Sequence, residues 1–395
     1  MKKGLVAFAI IAALLIIIGA DKDRSKQIPE NTAEVPAQDK IQDETPPKTE
    51  TPTSTTSTTS TTNNTDKDNA ENNGKSTEKQ NPPSPIPASE IMVIKETVIA
   101  SLPIKPRETE PPFPIDEVNA KARAALVNII CVNTEGNVFS PFSGSGVIVN
   151  EKGVILTNAH VAQYFLLKKY NGENLLDCTI RTGAPARYAY KAEPIYISEA
   201  WIKVNAPKIR EYQPRGNGEY DYAFLLITKS ATEAKLPESF PHLEPVLKDA
   251  DVLGEEILLA GYPAGFLEGI TIQLELYPLS SLGVINDTLS FGTSTTDLIN
   301  ITGNIISQHG ASGGSITNGK GELLGIIVTT TLGQTTSERN LQGITFPYID
   351  SKFKAESGLS FKEMIGVNLH NLSTQFNKEL APTLRGILER ELQTD

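Results

Sequence analysis

The sequence predicts an all-β folded head, built as two packed barrels with C-terminal helices and carried on a long tether. Three observations lead there. Many short apolar runs, separated by Gly- and Pro-bearing turns and with few helical stretches between them, fill the middle of the chain. The residues before them cannot form a core. After Phe361 the apolar period changes from strand-like to helical.

The chain opens with Met1-Lys2-Lys3 and an apolar run from Gly4 to Ala20, which reads as an export signal. The run is long for a cleaved signal core and sits at the short limit for a bilayer span, so an uncleaved anchor is favoured over a cleaved signal at 1–20. From Asp21 to Pro112 the chain is rich in Thr, Ser, Pro, Lys, Asp, Glu and Asn, with an uninterrupted Ser/Thr stretch up to Thr62. Such a segment buries too little apolar surface to offset its ordering entropy, so 21–112 is expected to be a disordered linker. One island, Ile91-Met92-Val93-Ile94 with Val98-Ile99, is apolar enough to pair or dock.

The head begins near Phe113. Pro114-Ile115-Asp116-Glu117 starts a short helix, with acids where the helix dipole favours them. Ala125 to Val132 reads as a buried strand. Ser143 to Val149 and Val154 to Thr157 flank Asn150-Glu151-Lys152-Gly153, a hairpin signal. Further strands are expected at Cys178–Arg181, Ala223–Thr228, Glu256–Ala260, Ile270–Leu276, Gly283–Ile285 and Leu323–Thr329. About 245 residues suit two barrels, with the seam between them available for a site. Beyond 357, Phe361, Ile365, Leu369, Leu372, Phe376 and Leu380 recur at helical spacing. Pro382 breaks the run, and Leu384, Ile387, Leu388 and Leu392 continue it. The expectation for 358–395 is a pair of helices packed on the barrels, with an oligomerisation element as the alternative.

Composition narrows the function. A net charge of −11 with no basic cluster argues against a nucleic-acid surface. Two cysteines, Cys131 and Cys178, are too few for a disulfide-built scaffold. Both lie in apolar runs and read as buried thiols, with one disulfide the alternative if the head lies outside the cytoplasm. No metal-ligand spacing is present, and no cofactor is expected. Gly314 to Lys320 nearly spells a phosphate-binding loop. Gly321 stands where Ser or Thr is required, however, and a strand follows instead of a helix, so Asn318-Gly319 reads as a hairpin turn.

The chemistry rests on three separated settings. Ser312 lies in Gly310-Ala311-Ser312-Gly313-Gly314, among residues small enough for the backbone to double back and leave the hydroxyl clear. A serine hydroxyl needs a base to take its proton. Of the four histidines, His160 alone sits between an apolar strand and a short helix, where a rigid scaffold could hold it. Asp221 directly precedes the run from Ala223 to Ile227, where a carboxylate could fix the imidazole tautomer. Each residue alone is more often structural; their joint occurrence points to nucleophilic acyl chemistry.

Gly144-Ser145-Gly146-Val147-Ile148, Leu156-Thr157-Asn158-Ala159-His160-Val161, Asp221-Tyr222-Ala223-Phe224-Leu225 and Gly310–Gly314 together resemble the trypsin-like serine proteases. The Thr-Asn-Ala-His-Val form and Gly343-Ile344-Thr345-Phe346-Pro347 are most similar to the HtrA (Deg) branch, here without a PDZ-like domain. The resemblance covers Phe113 to Ser357 and implies a double six-stranded β-barrel, a protease domain at 113–357 and hydrolysis of protein or peptide substrates. By position it makes His160 the general base, Asp221 its orienter and Ser312 the nucleophile, with the N–H groups of Gly310 and Ser312 as oxyanion hole. It places Ile306, Val328 and Thr330 around the substrate. An apolar floor at Ile306 and a β-branched Thr330 imply cleavage after small aliphatic residues such as Val or Ala. Ala311, Ser315 and Gln308-His309 depart from the common pattern around the oxyanion loop. The apolar run at 1–20 implies a head outside the cytoplasm, anchored in the membrane by those residues, or secreted if that segment is cut; homo-oligomerisation is left open. A catalytically inactive binding head on the same stalk is the rival reading.

Overall fold

The computed structural model describes residues 113–393 apart from 135–140, 171–172, 212–216, 266–268, 293–294 and 331–339. The expected anchor at 1–20 and linker at 21–112, with the island at Ile91–Ile94, lie outside the described residues. No helix among the described residues is long and apolar enough to cross a membrane.

Helix α1 (Ile115–Ala125) has Asp116 and Glu117 in its first turn and Arg123 in its last, and it buries Val118, Ala122 and Ala125. The first barrel follows: β1 (Leu126–Asn133), β2 (Phe142–Ile148) and β3 (Val154–Thr157) lead into α2 (Ala159–Leu166) and a small pair, β4 (Lys169–Tyr170) and β5 (Glu173–Asn174). Then come β6 (Leu176–Thr182), β7 (Arg187–Ile197), α3 (Glu199–Asn205), a 3₁₀ turn (Ala206–Arg210) and β8 (Ala223–Ser230). Strands in the order β1-β2-β3-β8-β7-β6 close on themselves, which leaves no sheet edge.

The second barrel contains β9 (Glu256–Gly261), β10 (Leu279–Leu289), β11 (Leu298–Thr302), β12 (Ser315–Thr317), β13 (Leu323–Thr330) and β14 (Asn340–Thr345). It closes in the order β10-β11-β14-β13-β12-β9. Its strands divide their side chains between two cores at period two. Ile257 and Leu259 of β9 face the barrel's own core with Ile285, Ile299 and Ile316. Leu258 and Ala260 join the larger core built on the first barrel. That is why β9 reads as a continuous apolar run: it is buried on both faces.

Three expectations need correction. Ile270–Leu276 is not a strand; it is the short helix α4 (Gly269–Leu274). Its β-branched sequence is overridden by two arginines of the first barrel. Fully buried Arg181 donates to the carbonyls of Ile272 (3.0 Å) and Gln273 (2.7 Å), and Arg187 donates to that of Leu274. Cationic donors suit a helix C-terminus, where the carbonyls lack partners within the helix. Cys131 and Cys178 are not free thiols but a disulfide, because the β1–β6 register sets them directly opposite. Instead of two helices the described part of 358–395 forms three, α6 (Phe361–Gly366), α7 (Leu369–Glu379) and α8 (Ala381–Gln393), and α5 (Phe346–Ser357) precedes them. Gly358, at φ 80°, ends α5, and a Ser360–Glu363 capping box starts α6. Pro382 falls in the first turn of α8, where its missing N–H costs nothing.

These helices are part of the first barrel's core. Phe353 of α5 stacks edge-on against Phe224 (5.1 Å) and Tyr196 (5.2 Å), and Phe361 of α6 meets Phe346 at 5.1 Å. Burying one such ring stabilises the fold by about 1.5–3 kcal/mol.

Candidate active site

His160 is the second residue of α2, in its first turn, rather than on the end of β3. The helix start explains how it is held. Asn158 takes extended backbone angles, but its side chain makes no cap bond; its amide donates instead to the carbonyl of Asp221 at 2.9 Å. The cap is supplied from outside: Asp221 Oδ1 accepts the backbone N–H of His160 at 3.0 Å. A carboxylate at a helix N-terminus satisfies an orphan donor and meets the favourable end of the dipole. The other oxygen, Oδ2, lies 2.7 Å from His160 Nδ1. Only 5% of the Asp221 side chain and 18% of the His160 side chain are exposed, so water screens the pair weakly. With its proton held on Nδ1, the ring presents Nε2 as a proton acceptor.

Asp221 is positioned by both of its neighbours. Tyr220 adopts a positive φ of 58°, uncommon for a bulky residue, and its N–H is taken by the hydroxyl of Tyr348 on α5 at 2.9 Å. Tyr222 is fully buried, and its hydroxyl donates to Glu356 at the far end of α5. Glu356 also accepts from Ser198 Oγ (3.1 Å) and the Ala200 N–H (3.0 Å), tying the start of α3 into the same knot. Desolvation first, and the Glu356 charge second, push the Tyr222 hydroxyl far above the usual tyrosine range, so it stays a donor.

Ser312 lies on the segment between β11 and β12 of the second barrel, where it touches the first. Its carbonyl accepts the N–H of Ser145 on β2 at 2.8 Å. A Cβ on Gly313 (φ +83°) would sit 2.1 Å from the Ser145 carbonyl oxygen and 2.5 Å from Thr157 Oγ1. Only glycine allows this approach. Because Thr157 is the last residue before the His160 turn, the serine comes to the seam on the histidine's side. Ser312 Oγ donates to the Val328 carbonyl at 3.4 Å, and none of the described hydrogen bonds joins it to His160. Ligand-free hydrolytic sites commonly rest in such a loosened state.

The two residues expected to form an oxyanion hole lie on one loop. The carbonyl of His309 is held by the Ala264 N–H at 2.6 Å. In a trans peptide the N–H points the opposite way, so the Gly310 N–H is turned from Ala264. Among the described hydrogen bonds neither the Gly310 nor the Ser312 N–H has an acceptor, which leaves both for a developing charge. Ile306 is fully buried and packs with Ala311 in the second barrel's core. Val328 is buried beside Ser312, and Thr330 ends β13. The remaining histidines stand apart in role: His242 pairs with Glu244 at 2.9 Å, His370 is exposed on α7, and His309 is exposed on the oxyanion loop itself. No local pattern marks Tyr348 or Glu356 as partners of the acid. Ser145 was visible only as part of a Gly-Ser-Gly strand.

Residues 144–326 match the family described as the trypsin-like peptidase domain. Among curated proteins the chain is similar to serine protease HTRA1A of Danio rerio, 26% identical over 258 residues. That alignment covers 62% of this chain and 42% of the relative, so the chain spans about two-fifths of that protein's length. Among solved structures it is similar to the active form of the Rv3671c protease from M. tuberculosis, with 17% identity, TM-score 0.39, and coverage of 63% of this chain and 88% of that one. The serine endoprotease from Yersinia pestis gives 21% identity, TM-score 0.38, and coverage of 63% and 67%. The fold assignment rests on the two closed barrels rather than on these superpositions.

Proposed function

We infer, for a chain that carries a trypsin-like, HtrA-related peptidase domain, that it is a serine endopeptidase working through His160, Asp221 and Ser312. The observation that carries this reading is the two-point grip of Asp221 on His160 beside a loop whose Gly310 and Ser312 N–H groups are unclaimed among the described hydrogen bonds. In the proposed reaction His160 Nε2 takes the Ser312 proton as Oγ attacks the scissile carbonyl. The oxygen's charge is met by the Gly310 and Ser312 N–H groups, and the imidazolium then protonates the leaving amine. Water repeats the sequence on the acyl-enzyme. Asp221 keeps the ring oriented and stabilises its charged form.

The apolar Ile306, with Val328 and Thr330 on β13, supports cleavage after small aliphatic residues. The leader at 1–20 supports a head held outside the cytoplasm by an anchor, with 21–112 as the tether and 358–395 as a helical extension. The rival reading, a binding head without catalysis, draws on the Ser312–Val328 hydrogen bond at 3.4 Å, which occupies the nucleophile.

The test is hydrolysis of a mixed peptide library by the purified protein and its Ser312→Ala variant. Cleavage after Val or Ala that disappears in the variant is expected. A profile dominated by Arg, Lys or Phe overturns the specificity, and turnover that persists in Ser312→Ala overturns the nucleophile.

A further inference from the structure

The Ser145 side chain has no role in the reaction just described, yet it is fully buried and every polar atom of the residue is hydrogen-bonded, two of them to the oxyanion loop. Its hydroxyl donates to the Gly310 carbonyl at 2.6 Å and accepts the Tyr262 N–H at 2.9 Å. Its backbone N–H donates to the Ser312 carbonyl at 2.8 Å, and its own carbonyl accepts from Thr157 Oγ1 at 2.7 Å. We propose that Ser145 is the positioning residue of the oxyanion hole: a first-barrel side chain that sets the orientation of a second-barrel loop.

The hole is made by the N–H groups of Gly310 and Ser312, so the planes that matter run from 309 to 313. The 309–310 plane is fixed by Ala264, the 311–312 plane by the Gly314 N–H on the Ala311 carbonyl at 2.8 Å. The 312–313 plane is fixed by the Ser145 backbone on one side and by the Gly313 N–H to Ile327 at 2.8 Å on the other. That leaves the 310–311 plane, whose carbonyl is held by the Ser145 hydroxyl alone among the described bonds. It adjoins Gly310, which sits at φ +89° with no side chain to bias its rotation. Without the hydroxyl this plane keeps only the Ala311 N–H on the Gln308 carbonyl of the same loop, at 3.2 Å the longest of the hydrogen bonds that hold these planes. A buried carbonyl with no donor then gains by turning, and a turn there displaces the donors on either side. The serine touches neither substrate nor the reacting atoms, so its effect should fall on the chemical step and not on peptide binding.

This inference rests on the serine-protease reading, and the experiment separates the two. The rate constant for phosphorylation of Ser312 by diisopropyl fluorophosphate, from which Oγ displaces fluoride and which is too small to use peptide subsites, is measured for the wild type, Ser145→Ala and Ser145→Cys. KM for a cleaved peptide is measured beside it. Expected for Ser145→Ala is a fall on the order of 10²-fold in phosphorylation rate and in kcat, with KM within about twofold, as for a small misplacement of catalytic groups. Ser145→Cys, which keeps a weaker donor at the same point, should fall between; it carries the test if Ser145→Ala does not fold. A wild-type rate in either variant overturns the positioning role while leaving the protease reading intact. Equal losses in kcat and in peptide binding overturn it too, because general loosening would explain them. A wild type that is not phosphorylated by the reagent at all removes the protease reading itself, and this inference with it.

Discussion

Asp221 holds His160 at two points, the backbone N–H at 3.0 Å and the ring Nδ1 at 2.7 Å, so one carboxylate both caps α2 and fixes the imidazole. The helix cannot turn about its axis without breaking the first contact, nor the ring about χ2 without breaking the second. Replacing one oxygen by an amide leaves the shape but presents a donor where an acceptor is needed. Asp221→Asn should therefore lower kcat by roughly 10³–10⁴-fold with KM little changed. Steady-state kinetics on a cleaved peptide check this; a loss under tenfold would mean the ring is oriented by something else.

The approach of the two barrels at the nucleophile depends on the absence of one carbon. A methyl on Gly313 would lie 2.1 Å from the Ser145 carbonyl oxygen, at a φ of +83° that disfavours any side chain. Gly313→Ala should destabilise the protein by about 1–3 kcal/mol through backbone strain and abolish turnover by pushing the serine loop off β2. Chemical denaturation and activity, measured together, check both effects.

Helix α5 is where stability and catalysis meet. Tyr348 and Glu356 sit on either side of the acid, one on the Tyr220 N–H and one on the Tyr222 hydroxyl. Glu356→Ala strands a fully buried tyrosine hydroxyl and the Ala200 N–H, at about 1–3 kcal/mol for each group left without a partner. The variant should melt earlier and lose activity. Tyr222→Phe, which removes the donor, should restore part of the stability when combined with it. Thermal melts of the single and double variants give the coupling directly.

The Cys131–Cys178 disulfide closes a sequence separation of 47 across the β1–β6 register. Reducing it, or changing both residues to Ala, should cost about 2–4 kcal/mol, mostly by freeing the unfolded chain. Activity at low temperature should persist, because neither strand carries a catalytic residue. Denaturant unfolding with and without reductant is the measurement.

Much of this architecture was readable from the chain. β3, β8, β9 and β13 are apolar runs bounded by Gly, Asn or Asp, and strands buried on both faces leave that mark. The three catalytic settings stood out because each carries small or polar residues at a strand end. β7 was missed: its exposed half carries Arg187, Lys191 and Glu193, and Pro194 sits at a bulge, so neither alternation nor an apolar run appears. α4 was misread because its Ile-Thr-Ile sequence favours a strand, and what makes it helical is a pair of arginines some 90 residues earlier. The Tyr222–Glu356 contact joins residues 134 apart, and no local pattern marks a long-range partner.

In the proposed mechanism one hydroxyl, Ser312 Oγ, is activated by His160 under the control of Asp221. A fluorophosphonate probe, followed by mass mapping of the labelled peptide, is the decisive measurement. Expected are a single adduct on Ser312 in the wild type, none in Ser312→Ala, and labelling slowed by several orders of magnitude in His160→Ala. Labelling that maps to another residue, or that proceeds at the wild-type rate without His160, would contradict it.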